Sequence, residues 1–587
     1  MGTVTSKPDA MAPGTTPHLR AFQMLVVKIS DVLNMASVMV YEELQKASLL
    51  HAHQLGWFTV FVSHQWLGLH HPDRAAAQFK VLQNALQGAI DGSVKVQSDT
   101  VTEFMKAYRF LSPRERNLLR DGYMWMDWFC IPQDPACRDQ LNLAVESIPS
   151  YIDCCELFVV LVPPLRHETG RLCNFESWLQ RGWCRAELWC NRLCTNANLG
   201  VIVVQGAADA TFLAPQDWIH RPVHTGDFTV DSDRQKVMRM LREAMDVYIT
   251  HLRQCKMHDL LRFYTARYHD LLGLPRAERS PEEFLASFGF RTMEEAIKSA
   301  GMTALGCAAM AGDRSIVRML LEAKAQLSKR HPNLQEVDQF PGQTPLHFAV
   351  LRGIGSADVI TELLRSRADP NVTCSIGMPV MSNCKDPETV ELLVSHRADV
   401  NHRSGLIRNT ALAVCCCKLA PVPVVAKLLE LRADPNLSQG GESTTPLMAM
   451  SIYTKGQSQY AVEVAGLLVR ARADVNQAQR ASGVWRFAEL ICRASQCLGK
   501  DSALVRYFAE NSSTPLGIAG YYANEPMVSF LLSARADVNH RNHRGHTPLM
   551  LAAKGHTSHL FVPEPSSSEK EQGLASTEDE EMFSRTF

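Results

Sequence analysis

Polar side chains able to do chemistry stand at the ends of two apolar runs. Ser63, His64 and Gln65 follow Phe58-Thr59-Val60-Phe61-Val62, and Asp127-Trp128 follows Tyr123-Met124-Trp125-Met126. A carboxylate in that place can orient a ligand hydroxyl or anchor the loop behind it. His64, His70 and His71 invite a metal reading, yet no Cys/His spacing matches a zinc site, so no metal is expected. Cys184, Cys190 and Cys194 fall at helical spacing and read as packed thiols. Gly499-Lys500-Asp501 lacks the upstream glycine of a phosphate-binding loop, and neither H-E-x-x-H nor G-x-S-x-G occurs. Met1-Gly2 with Ser6 fits the myristoylation pattern, which would place on Gly2 one acyl chain and a weak membrane hold.

The elements that position these groups alternate. The run at 58–63, a helix-period stretch Asp73–Ile90, the run at 123–127, a helix near 141–155 and the strand 157–162 come in turn. A helix around Trp183–Leu193 and the strand Val201–Val204 complete the series. Continuous apolar strands separated by helices predict a parallel sheet covered on both faces. Ligands of such sheets bind beyond the strands' carboxyl ends, so Ser63-His64-Gln65 and Asp127-Trp128 are expected to line one crevice. Trp125, Trp183 and Trp189 read as core.

The second half repeats. R-A-D-x-N begins at Arg367, Arg397, Arg432, Arg472 and Arg535, at intervals of 30, 35, 40 and 63. T-x-L begins at Thr303, Thr344, Thr410, Thr445, Thr514 and Thr547. Threonine caps free amides at a helix start and proline suits the first helical position, as in Thr344-Pro345-Leu346-His347. Val425/Leu428/Leu429, Val464/Leu467/Leu468 and Val528/Leu531/Leu532 give a second helix its apolar stripe. The Ala-Asp-x-Asn that follows supplies turn formers tolerant of left-handed backbone. One such pair cannot bury its own apolar face, so units must stack. With its T-P-L-H openings and L-L-x-x-x-A-D-x-N closings, the region 298–560 resembles the ankyrin repeat family, with about eight units. Those near 376–403 and 479–511 lack a clean opening and rest on spacing. The resemblance implies a solenoid that binds another protein.

The front half resembles the TIR domain superfamily. F-T-V-F-V-S-H at 58–64 looks like its opening strand, and R-G-W-C-R-A-E-L at 181–188 like its W-C-x-x-E-L box. M-W-M-D-W-F-C-I-P-Q-D at 124–134 is also similar to the heterokaryon-incompatibility domain, itself TIR-like. Many TIR domains cleave the nicotinamide–ribose bond of NAD with the glutamate of that box, here Glu187. A carboxylate beside the ribose would stabilise the oxocarbenium-like charge left by departing nicotinamide. Trp66, Trp128 or Trp183 could stack on a base of the dinucleotide. The plainer alternative puts Glu187 on a solvated helix face beside Arg185 or Arg192. The sequence departs from the family pattern at Ser63-His64-Gln65-Trp66, and residues 92–122 are extra.

The expected fold is multidomain, α/β plus all-α: a TIR-like, flavodoxin-like parallel-sheet domain, a helical connector and an ankyrin-repeat α-solenoid. The expected order is a disordered start (1–20), a helical extension (21–56), the α/β domain (57–228), the connector (229–297), the repeats (298–560) and a disordered acidic tail (561–587). The 587 residues carry 60 Lys+Arg against 61 Asp+Glu. That balance argues against nucleic acid as a partner, since phosphate binding needs an electropositive face. No apolar run approaches the length of a membrane-spanning helix, and scattered cysteines favour a reducing, cytoplasmic setting. Two function classes remain. One is a signalling protein that binds a partner through its repeats, its TIR-like module self-associating or supplying the output. The other is an NAD glycohydrolase regulated by the repeats, with NAD as substrate and no cofactor required.

Overall fold

A computed structural model describes residues 21–100, 102–103, 108–195, 200–213, 221–275, 278–331, 334, 341–353, 355–403, 408–438, 444–454, 458–480, 483–500, 502–510, 512–555 and 557–561. Gly2 and the expected disordered ends lie outside them, Phe561 excepted.

The front half is built on one eight-stranded sheet. Its strands are β1 (Leu25–Lys28), β2 (Leu50–Ala52), β3 (Thr59–His64), β4 (Gln97–Ser98), β5 (Tyr123–Met126) and β6 (Leu157–Leu161). After a small separate hairpin, β7 (Leu165–Arg166) and β8 (Leu172–Cys173), come β9 (Gly200–Gly206) and β10 (Asp209–Phe212). The order is β2-β1-β5-β3-β6-β9-β10-β4. The four central strands β5, β3, β6 and β9 run parallel in register, for example Phe61 with Trp125 and Phe158. These are the four runs expected to form a parallel sheet. Both faces are covered, and β3 and β6 are buried at every position.

The sheet is mixed, because antiparallel neighbours join its edges. β1 pairs antiparallel with both β2 and β5. Residues 21–56 are therefore helical only in part: helices at Ile29–Asn34 and Tyr41–Lys46 lie between the strands β1 and β2. Leu25-Val26-Val27-Lys28 pairs as a strand, since two β-branched residues in a row fit a pleated buried surface better than a helix. At the other edge the extra residues 92–122 contribute β4, which lies parallel to β10.

Among the helices flanking the sheet, α1 (Ala77–Asp91), α2 (Asp127–Cys130), α3 (Ile148–Asp153), α4 (Phe175–Gln180) and α5 (Gly182–Arg192) matter most below. Helices α6 (Ser232–Gln254) and α7 (His258–Leu271) form the long connector, followed by α8 (Pro281–Phe288) and α9 (Met293–Lys298). Ser280 and Thr292 cap the last two, accepting the backbone N–H of Glu283 and Glu295. Arg262 of α7 binds the carbonyls of Phe288, Ala300 and Met302, which fastens the connector to the first repeat.

The repeats stack as paired helices. The pairs are α10 (Ala304–Ala311) with α11 (Arg314–Glu322), and α12 (Pro345–Arg352) with α13 (Ala357–Arg365). A 3-10 turn at Val380–Asn383 pairs with α14 (Pro387–Ser395), α15 (Ala411–Cys417) with α16 (Val422–Glu430), and α17 (Pro446–Tyr453) with α18 (Ser458–Arg470). Two further helices, α19 (Val484–Cys497) and α20 (Ala503–Ala509), precede the pair α21 (Pro515–Tyr521) and α22 (Glu525–Ser533). The last layer joins α23 (Pro548–Lys554) to a 3-10 turn at Ser558–Phe561. The unit near 376–403 does stack, with its first helix shortened to the 3-10 turn.

The unit expected at 479–511 does not. α17 packs directly on α21 and α18 on α22, so α19 and α20 stand outside the stack as an insertion. The interval of 63 is one unit plus a helical hairpin, and the stack has seven layers among the described residues. Phe508 and Tyr507 of α20 pack instead on Met448 and Ile452 of α17 and on Ile518 of α21. The insertion thus covers the first helices α17 and α21. It also reaches the α/β domain, where the Leu504 N–H donates to Glu103 at 2.9 Å; beside it the hydroxyl of Tyr522, at the end of α21, lies 3.2 Å from that of Thr100. No described helix is long and apolar enough to cross a membrane.

Candidate functional site

β3 and β5 end side by side, which sets Ser63, His64 and Asp127 at one edge of the sheet. Asp127 opens α2 and accepts the Trp128 N–H at 2.6 Å, so it anchors the turn out of the strand. Its other oxygen accepts the Trp66 indole N–H at 3.0 Å. His64 lies between two acceptors, with Nε2 2.8 Å from Asp127 Oδ1 and Nδ1 2.9 Å from Gln78 Oε1. The Gln78 amide is oriented by its own NH₂ group, which donates to the Gln65 carbonyl at 3.2 Å. An imidazole facing an acceptor at each nitrogen is satisfied when doubly protonated.

The electrostatics agree. Burial alone would lower the pKa of His64, but the charge and hydrogen bond of Asp127, with that of Gln78, carry it above its ordinary value. Burial works against ionised Asp127 too, and His64, Trp66 and the Trp128 amide hold its pKa below the usual value. The two form a buried ion pair whose solvent side is the Asp127 carboxylate, 31% exposed.

Ser63, 1% exposed, faces the other way. Its hydroxyl donates to Glu187 of α5 at 2.5 Å and accepts the Trp178 indole N–H of α4 at 3.1 Å. Burial raises the Glu187 carboxyl to about 8, opposed by the Ser63 hydroxyl and raised further by Asp127. Glu187 is therefore a mostly protonated acid at neutral pH. It is not the solvated residue of the plainer alternative: Arg185 turns away, binding the carbonyls of Leu179 and Pro222.

The structure brings Ser63, His64, Trp66, Asp127, Trp128 and Glu187 together. The Trp66 and Trp128 rings meet edge to face at 5.4 Å, with His71 4.9 Å from Trp128. Trp183 is not part of this group. It is half-buried, and its indole N–H donates to Asp233 of α6 at 3.2 Å, tying α5 to the connector. Trp125 and Trp189 are core as expected, and Cys184 and Cys190 are buried thiols whose pKa values burial raises. Among the described residues no three or more His, Cys, Asp or Glu side chains are grouped as metal ligands would be.

Gln78 and Trp178 were missed in the sequence. Gln78 had a signal, because it shares the buried stripe of α1 with Leu82, Ala85 and Ala89, where a polar side chain must find a partner. Trp178 had none, since its partner is 115 residues away.

The repeat half carries a second polar arrangement. The Asn371 side chain accepts the Asp399 N–H at 2.8 Å, Asn401 that of Asp434 at 2.9 Å, and Asn436 that of Asp474 at 2.7 Å. Asn476 accepts that of Asp537 at 2.7 Å, bridging the insertion. Each asparagine thus ties its turn to the next layer. The left-handed backbone falls on the pentads' arginines, not on Asp or Asn: φ is +71°, +71°, +67°, +69° and +59° at Arg367, Arg397, Arg432, Arg472 and Arg535. Helix C-termini require that conformation one residue before the Ala-Asp turn. Thr410, Thr445, Thr514 and Thr547 cap the first helices.

A family model of ankyrin repeats, in three copies, matches residues 283–374. The carboxyl-terminal region carries ankyrin repeats. The match opens inside α8, so it includes α8 and α9, which the sequence suggested were connector. No curated protein matches the chain. Among solved structures, the ankyrin repeat domain of Bcl-3, described as a unique member of the IkappaB protein family, is similar at 22% identity. The alignment covers 45% of this chain and 99% of that one, with a TM-score of 0.32.

Proposed function

We propose that this chain is a signalling protein in which the ankyrin stack holds a partner protein and the α/β domain supplies the output. The supporting observation is the asparagine ladder: it locks exposed turns of successive layers into one rigid, extended face of the kind repeat proteins present to partners. Contacts of Glu103 with the insertion and of Thr100 with Tyr522 at the end of α21 connect that stack to the α/β domain. Crosslinking mass spectrometry of the chain with a co-purified partner tests this. Crosslinks are expected on residues 298–561; a partner crosslinked solely to residues 21–228 would overturn it.

A second reading is favoured by the convergence of Glu187, Ser63, His64 and Asp127 at the end of β3. A TIR-like domain with this cluster would cleave NAD to nicotinamide and ADP-ribose, with Glu187 stabilising the ribosyl cation. Glu187 must be ionised for that role, and a bound pyridinium cation favours loss of its proton. Trp66 or Trp128 would flank the base. The test follows nicotinamide release from NAD by concentrated protein between pH 6 and 9. This reading requires a rate that rises with pH toward about 8 and is lost in Glu187→Gln. Activity unchanged in Glu187→Gln removes the assignment. Inactivity of both forms leaves the α/β domain a module for self-association.

A further inference from the structure

The insertion carries an unpartnered face. α19 has 14 residues, and its outward stripe is apolar: Phe487, Leu490, Ile491 and, just past its last residue, Leu498 are 66%, 50%, 50% and 80% exposed. Their spacing of 3, 1 and 7 places them on one side of the helix. The opposite side holds Trp485, Cys492 and Glu489, packed toward α20 and the last repeat. An exposed apolar stripe rimmed by charge marks an interaction site.

The rim is basic. Arg486 and Arg493, 47% and 37% exposed, share the fully buried Glu489, and Arg544, paired with buried Glu510, is 32% exposed beside Gln496. Lys500 lies exposed just beyond the helix. The stripe therefore fits an acidic segment bearing apolar side chains. A second copy of α19 does not: like charges would meet, and one 14-residue helix face falls short of the roughly 1,200–2,000 Å² of a stable interface.

We infer that residues 562–587 of this same chain dock on the α19 stripe. They carry seven Asp and Glu against two Lys and Arg, together with Leu574, Met582, Phe583 and Phe587. The chain leaves the described fold at Phe561, from a turn packed on α22 and α23. The loop between those two helices is the one that grips α19, through His543 on Glu489 and Arg544 on Gln496. Residues 562–577 can span about 50 Å when extended, more than twice the ~21 Å length of a 14-residue helix. A tether of that length precedes the run Glu578-Asp579-Glu580-Glu581-Met582-Phe583. The tail would shield the stripe until a stronger ligand displaces it. This inference is independent of any activity at Glu187 and of what the repeat layers bind.

The probe is a labelled synthetic peptide of residues 562–587, added to the chain ending at Phe561, which retains every described element. Saturable binding is expected, weakened at least tenfold by Leu490→Asp with Ile491→Asp and falling as salt rises. These positions are solvent-exposed, so the variant's melting temperature should stay unchanged. In the full chain, hydrogen exchange of α19 should speed several-fold in Met582→Ser/Phe583→Ser. No binding of the peptide, binding indifferent to the stripe variants, or dimerisation of the shortened chain through α19 would each overturn the inference.

Discussion

The two halves of the molecule place their polar groups in opposite ways. In the α/β domain a few groups from distant parts of the sequence meet at one strand end. His64, Asp127 and Gln78 share one network, and Ser63, Glu187 and Trp178 share another. In the ankyrin stack the same small exchange, an asparagine side chain accepting the next layer's Asp N–H, recurs at the surface. A concentrated network depends on every member, because removing one leaves a buried charge or donor alone. A repeated one tolerates local failure. The layer at Val380–Asn383 lacks a regular first helix, and a two-helix insertion interrupts the next-to-last junction, yet Asn401 and Asn476 carry the ladder past both.

The contrast can be broken by measuring its two ends. Asp127→Ala strands the His64 imidazolium and should cost about 2–3 kcal/mol, the loss from a fully buried pair discounted for the exposed side of the carboxylate. Denaturant unfolding of the α/β transition would show it; a cost below that of a ladder mutation would erase the distinction. Glu187→Gln should act in the opposite direction. The folded acid holds its proton to about pH 8, whereas the unfolded one loses it near its ordinary value. Stability therefore falls as pH rises between those points. The neutral amide removes that loss and should raise stability by about 1–2 kcal/mol at pH 8 and by little at pH 4. A pH series of melting curves for both forms would test it.

Within the solenoid the effects should be smaller. Asn436→Ala removes one rung and should cost about 1 kcal/mol, with hydrogen exchange quickening at Asp474 and its neighbours alone. Spread of that change to the first layers would mean that the stack behaves as one unit. Arg432→Gly relieves a side-chain-bearing residue at φ +67° and should add roughly 0.5 kcal/mol, after the greater freedom of glycine in the unfolded chain is counted. The His64–Asp127 pair also sets a pH signature. With His64 raised and Asp127 lowered, its contribution is present above the ordinary Asp range and is lost as pH rises through the His64 value.

The sequence by itself determined what depends on neighbours in the chain. The four central strands, the threonine caps and the recurrent second helices were legible because periodicity and capping act over three or four residues. The gathering of Ser63, His64 and Asp127 was legible too, since carboxyl ends of parallel strands share one edge. Tertiary structure decided the rest. Leu25–Lys28 became a strand because β5 offered an edge, while Trp183 went to Asp233 because α6 lies against α5. An interval of 63 residues reads equally as two repeats or as one repeat and an insertion. Packing of α17 on α21 settles it, because spacing along a chain counts residues and says nothing about which helices touch.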